Sequence, residues 1–356
     1  MGLVDSCEME TRVIQVEKPR DVAAVCREAA EALAAGQVVA LPTETVYGLG
    51  ADAFCESAVA EVFAVKERPS FDPLICHLPD AAAVHEVAEV APELRELVDK
   101  LAAEFWPGPM TLVLPRKACV PDIVTSGLPT VACRVPRHEV MRGTARALGR
   151  PIAAPSANRF GHISPTSAPA VLKELGGRIP LVVDAGACAE GLESTILQPC
   201  LDEKGKPAVR LLREGPVTRE KLRGLCRVIK PGKGKPSAEG TPSAPGQLKS
   251  HYAPTKPLII RDPKQPFTPP NPDVAYGLIS YQGDSPLAAQ EGWVEVMALS
   301  PGSGRLAEAA VRLFAVMRAM DEHEDVQVIV AEQLPETGLG CAMMDRLRRA
   351  AAAGEP

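Results

Sequence analysis

Aromatic side chains are scarce. Seven Phe, two Trp and four Tyr make up 4% of 356 residues. Any core must be filled by aliphatic side chains, which carry most of the 46% hydrophobic content. Paired cysteines are missing as well: the ten Cys are dispersed without a CxxC pair, and the six His show no metal-ligand spacing. That pattern excludes a disulfide frame or a zinc site and makes reduced thiols in a cytoplasmic protein the expectation. No apolar run reaches the roughly 18 residues of a membrane span. The first residues, MGLVDSCEMETR, lack the basic flank and apolar stretch of a secretory signal. No GxSxG, Walker or GxGxxG pattern occurs. Positive charge is also in deficit: 39 Lys and Arg against 45 Asp and Glu leave a net charge of −6. This excludes a chain that coats nucleic acid by bulk attraction and leaves room for a local basic pocket.

What is present suggests two domains on the length prior. Apolar strand candidates at 38–41, 74–78, 111–114, 131–135, 152–154, 181–185, 194–197 and 209–213 are interleaved with helices beginning near Asp21, Ser57, Pro92, His138, Ser167 and Thr218. Several strands follow one another directly, which predicts a mixed α/β sheet over residues 12–229 rather than a doubly wound parallel one. Residues 230–257 hold six prolines and little that is apolar, and read as an extended linker. From 258 to 352 a smaller α/β unit follows. It has strand candidates at 258–260, 274–279, 294–299 and 326–330, one strongly amphipathic helix with Leu306, Leu313 and Phe314 on a stripe, and an Arg-rich terminal helix.

The organising stretch is residues 41–50. An apolar strand enters it, and Pro42 withdraws a backbone donor. Thr43, Glu44, Thr45 and Tyr47 then crowd into five residues ahead of Gly48 and Gly50. A small-molecule pocket and a tight capped turn both fit this chemistry. Lys66 and Arg68, two cations leaving a helix, suit a phosphate clamp or a solvated helix end. Ser156 and Asn158, two apart after a strand, suit ribose or phosphate contacts or a capped turn. Arg134 lies inside the apolar strand 131–135 and needs a carboxylate, either internal or from a ligand. His77, Ser194 and Arg213 each sit at a strand end.

Together the motifs PTETVYGLG, KERP with DPL, FWPGPMTLVL, ACRVP, APSAN, ESTI and LLREGPVT, in this order and spacing, resemble the threonylcarbamoyl-AMP synthases, the YrdC-like family. SAPGQLKSHYAP and GLGCAMMDRLRRAA resemble the long, two-domain form. The resemblance implies a twisted mixed sheet around a basic concavity, with a smaller Rossmann-like C-terminal domain. It implies that L-threonine, bicarbonate or CO2, and ATP give threonylcarbamoyl-AMP and pyrophosphate. The product would then be passed by a second enzyme to the adenosine beside the anticodon of tRNA, with RNA contact as a further expectation. By position Thr43, His77, Arg134 and Ser194 would hold threonine. Lys66, Arg68, Asp72, Thr130, Ala154, Ser156, Asn158, Ser164 and Arg213 would hold ATP, with Ser243 and Tyr252 closing over it. Lys66 and Arg68 would carry catalysis. Magnesium would enter through the ATP phosphates, without protein side chains as ligands. The alternative is a double-stranded RNA-binding module without catalysis, favoured only by a local basic patch.

Overall fold

The computed structural model describes residues 9–229 and 251–352. The expected linker at 230–257 therefore falls mostly, and Ser243 wholly, outside the described residues. The first unit is one mixed sheet of eleven strands. These are β1 (Arg12–Gln15), β2 (Val39–Leu41), β3 (Gly48–Asp52), β4 (Ile75–His77), β5 (Met110–Pro115), β6 (Thr130–Arg134), β7 (Ile152–Ala153), β8 (Leu181–Asp184), β9 (Thr195–Leu201), β10 (Pro207–Arg213) and β11 (Arg227–Ile229). Their order is β1-β8-β2-β3-β7-β4-β6-β5-β9-β10-β11. The β2–β3, β3–β7, β4–β7, β5–β6 and β9–β10 pairs are antiparallel; β4–β6 and β5–β9 are parallel. The mixed sheet expected from adjacent strands is thus present.

The organising stretch is a turn only in its first part. Residues 42–47 turn, and Gly48–Asp52 returns as a fully buried central strand. Its glycines do not supply unusual torsions. A Cβ on Gly50 would meet Ile152 Cγ2 at 2.8 Å and the Val39 carbonyl at 3.4 Å, so the residue allows close packing of neighbouring strands. Helix Glu56–Lys66 delivers Lys66 at its last turn, and helix Glu139–Leu148 starts on His138, whose Nδ1 accepts from the Val140 amide. Leu, Val and Ala dominate the main core, as the shortage of aromatics requires.

The second unit is a four-stranded, all-parallel sheet in the order β12-β15-β13-β14. Its strands are β12 (Leu258–Arg261), β13 (Tyr276–Ser280), β14 (Glu295–Ala298) and β15 (Val328–Glu332). Helices Leu306–Glu322 and Leu339–Ala351 pack on it. The units touch closely. Val46, Ile163 and Leu192 of the first join Leu313, Phe314 and Met317 of the second in one apolar cluster. Gly191, at φ 69°, lies so near helix Leu306–Glu322 that a Cβ would stand 2.5 Å from Val311 Cα. Arg318 donates to the Ile163 carbonyl at 2.7 Å and pairs with Glu174 at 2.9 Å.

Candidate active site

The ends of β4 and β6, the turn after β2 and the segment after β7 converge on one cavity of about 50 Å³. The turn is held by its own hydroxyls. Thr43 Oγ1 donates to the Val46 carbonyl at 2.6 Å and accepts from the amides of Thr45 and Val46 at 3.1 and 3.2 Å. This fixes Glu44 and Thr45 toward β6. Arg134, 3% exposed, meets Glu44 at 2.7 Å, donates to Thr45 Oγ1 at 2.9 Å and donates to the Gly108 carbonyl at 3.2 Å. The internal-carboxylate reading of Arg134 is therefore realised, with Glu44 as the acid. Burial acts to raise the Glu44 carboxyl, but Arg134 outweighs it and the net effect holds the acid below its ordinary value.

His77, pairing with Arg134 across β4 and β6, turns its Nδ1 to the Ile75 carbonyl at 3.1 Å. Burial first, then the Arg134 charge, lowers its pKa to about 3, so the ring is neutral. Ser194 shares a 2.7 Å hydrogen bond with Thr111 and accepts from Arg213 at 3.2 Å, while Arg213 Nε also donates to the Ser194 carbonyl at 3.0 Å.

On the other wall, Arg68 meets Asp72 at 2.8 Å and donates to the Pro73 carbonyl at 3.1 Å. Lys66 Nζ donates to the carbonyls of Ser156, at 2.6 Å, and Asn158. Burial and then the nearby Arg68 charge push the Lys66 amine well below its ordinary value, against the pull of Asp72 and Glu174. Burial raises the Asp72 carboxyl even though Arg68, Lys66 and Arg213 oppose the rise.

Of the residues expected from sequence, Thr43, His77, Arg134, Ser194, Arg68, Ala154, Ser156, Arg213 and Tyr252 line the cavity. Lys66, Asp72 and Asn158 stand directly behind that lining. Ser164 reaches it only by donating to Glu193 at 2.6 Å. Thr130 begins β6, four residues from Arg134, and lies outside the lining. At about 3.3 Å per strand residue that separates the two by roughly 13 Å.

Sequence reading missed the partners. Glu44, Thr45 and Glu193 line or brace the cavity, and Arg346 of the second unit, fully buried, pairs with Glu193 at 3.1 Å. In sequence Arg346 looks like a cation complementing a helix end. Only the run of apolar neighbours, Met343, Met344 and Leu347, hints that it faces inward.

The roof is His251–Tyr252. Tyr252, at φ 63° and 1% exposed, stacks on Phe314 with ring centroids 5.6 Å apart and lies under the Arg346 guanidinium at 5.5 Å. His251 packs edge-on against Phe160 at 5.9 Å. Three arginines, Arg68, Arg134 and Arg213, and one acid, Glu193, line the space beneath. The basic concavity is real despite the acidic total charge. Small-molecule sites commonly measure about 300–1,000 Å³, so this one is in a closed arrangement.

The comparisons agree in direction. A family model described as "Telomere recombination", covering the Sua5, yciO and yrdC proteins, matches residues 31–215. A second, described as "Threonylcarbamoyl-AMP synthase, C-terminal domain", matches residues 217–352. The curated threonylcarbamoyl-AMP synthase of Bacillus subtilis (strain 168) is 39% identical over 337 residues, covering 91% of this chain and 92% of its own. That of Pyrococcus abyssi (strain GE5 / Orsay) is 38% identical over 327 residues, covering 91% and 93%. A crystal structure of P. abyssi Sua5 complexed with L-threonine aligns with a TM-score of 0.80 at 36% identity, covering 97% of this chain and 98% of that one. These names do not favour an RNA-binding module without catalysis. Among the described residues no helix is long and apolar enough to cross a membrane.

Proposed function

The chain belongs to the threonylcarbamoyl-AMP synthase family, and from that premise we propose that it joins L-threonine, CO2 or bicarbonate, and ATP into threonylcarbamoyl-AMP with release of pyrophosphate. The product serves tRNA modification beside the anticodon, and the enzyme works in the cytoplasm. The observation that carries the reading is convergence. The proposed threonine set (Thr43, His77, Arg134, Ser194) and the proposed nucleotide set (Arg68, Ala154, Ser156, Arg213) line a single closed cavity.

The chemistry follows from charge. Threonine's amine loses a proton and attacks CO2, forming a carbamate. A carbamate oxygen then attacks the α-phosphorus of ATP, and the bond to pyrophosphate breaks. The barrier is chiefly the crowding of negative oxygens, which positioned cations relieve. In this reading Arg134 receives the amino-acid carboxylate. A guanidinium has five N–H donors, and Glu44, Thr45 and Gly108 engage only part of that set. Ser194 and neutral His77 border the amine and the side-chain hydroxyl. Arg68 faces the phosphates with the Lys66 charge close behind it, and Arg213 and Ser156 orient the nucleotide. Asp72 and Ser164 act through Arg68 and Glu193. Tyr252 closes the chamber and excludes water. No covalent enzyme intermediate is needed, so positioning dominates.

Magnesium fits as a companion of the phosphates. Among the described residues no group of three or more His, Cys, Asp or Glu could hold a metal, and Asp72 is already engaged by Arg68. When bound, the ion would neutralise phosphate charge; Lys66 and Arg68 would share that task from the protein side.

The test is incubation with ATP, threonine, bicarbonate and magnesium. Pyrophosphate should appear only when threonine is present. Release independent of threonine, or none at all, would remove the assignment.

A further inference from the structure

A second cavity, of about 630 Å³, lies in the C-terminal unit, away from the closed chamber. Its walls come from three loops: Asp262–Lys264 after β12, Tyr281–Pro286 after β13, and residues 332–336 at and beyond the end of β15. These are the carboxyl ends of three adjacent parallel strands in the order β12-β15-β13. The chain leaves β13 toward β14 on one side, while β15 leads back to helix Leu339–Ala351 on the other. Crevices at such a reversal are where open parallel sheets receive ligands.

Glu332 is the polar group at the base. It is 1% exposed. Its carboxylate accepts from the Tyr281 amide at 2.6 Å and from the Ser285 hydroxyl. No basic side chain among the described residues pairs with it. A carboxylate has about four acceptor directions, so two remain unfilled. A buried acid without a counter-cation is costly, and buried charges are ordinarily paired.

The rest of the lining extends the same sign. Asp262, Asp284 and Glu336 stand with Glu332, against one base, Lys264; Glu336 is matched by Arg348. Anions are poorly served here. The N-terminus of the neighbouring helix Leu306–Glu322 already holds Glu308, which accepts from Ser300 at 2.9 Å and Ser303 at 2.7 Å. A single metal ion does not fit either, because the acids do not gather into a metal-binding group. Acids spread over three loops around a roomy, largely apolar space suit an extended organic cation with an aliphatic stem and more than one charge.

We propose that this cavity binds an aliphatic polyamine, one ammonium group seated on Glu332 and another reaching Asp284, since Asp262 already accepts from the Lys264 amide. Glu332 supplies the buried acceptor, and the loop acids set the spacing.

Titration calorimetry on the full chain, without nucleotide and at near-physiological salt, tests this with spermidine, putrescine, L-arginine and magnesium chloride as probes. Spermidine should bind at one site, more tightly than putrescine. Glu332→Gln should weaken it at least about tenfold, the loss expected for one charged hydrogen bond. Asp284→Asn, at an exposed position, should weaken spermidine more than L-arginine. Pyrophosphate release measured without polyamine should be unchanged in Asp284→Asn. Absence of spermidine binding at millimolar concentration, equal affinity in wild type and Asp284→Asn, or magnesium competing at equal charge would each overturn the proposal. L-arginine binding as tightly as spermidine would do so too, by assigning the cavity to a basic amino acid or side chain.

Discussion

A guanidinium inside a sheet is held by whatever it can reach, and for Arg134 that is Glu44, Thr45 and Gly108. The need for an acid was legible in an Arg flanked by Val131, Ala132, Cys133 and Val135. The identity of that acid was not, because Glu44 lies ninety residues away and arrives only when Thr43 folds the turn back on itself. Arg134→Ala should lower threonine affinity far more than ATP affinity in calorimetry, since the carboxylate site loses its charge while the phosphate wall is untouched. Equal losses for both ligands would contradict the role given to Arg134. His77 adds a pH signature. Its pKa falls to about 3 in the fold, below the usual 6.5, so between those values the unfolded chain takes up a proton that the folded chain refuses. Stability from this group is therefore full above pH 6.5 and is lost as the pH falls toward 3, by about 1.4 kcal/mol per pH unit. Chemical denaturation at pH 7 and pH 4.5 should show His77→Gln losing about 2.5 kcal/mol less than the parent across that interval. Parallel losses would mean the ring is not held neutral.

At the level of elements, patterning located most of the strands within a residue or two, since apolar runs of four or five in this chain become buried strands. The central strand β3 escaped because its sequence, Gly-Leu-Gly-Ala-Asp, reads as a turn. Glycine is poor in strands on average and is chosen here for contact distance. Gly50→Val should place its branches into Ile152 and Leu41, and cost about 1–3 kcal/mol in thermal or urea unfolding. An unchanged midpoint would show that the β3–β7 seam has slack. The edge strands β1 and β11 were missed for another reason. They are short and half exposed, and their pairing with β8 and β10 depends on distant partners. Thr130 shows the same limit from the opposite side: its strand was found, but sequence order alone could not tell which end of that strand faces the cavity.

The whole molecule depends on contacts that no single unit reveals. Arg346 pairs with Glu193 across the divide, Phe314 stacks on Tyr252, and Gly191 lets helix Leu306–Glu322 come into backbone contact. Both segments were visible in the sequence, the Arg-rich helix as a dipole partner and the apolar stripe as core. Their shared surface was not, because neither pattern encodes what it packs against. Gly191→Ala should be strained twice, by its φ of 69° and by 2.5–2.6 Å approaches to the Ala310 and Val311 backbone. Limited proteolysis should then cut the variant between the units faster than the parent, while the circular dichroism spectrum stays intact. Equal cleavage rates would show that the interface yields without cost.

The Tyr252 ring, wedged between an aromatic and a guanidinium that both belong to helices of the second unit, has a consequence for the fate of the product. A mixed carbamic–phosphoric anhydride is open to attack by water, a side reaction that a closed site suppresses. Here the ceiling of the vessel is bolted to a neighbour rather than to its own walls. A catalytic half stripped of that neighbour would be roofless, spilling its activated threonine into bulk water and spending ATP for free AMP.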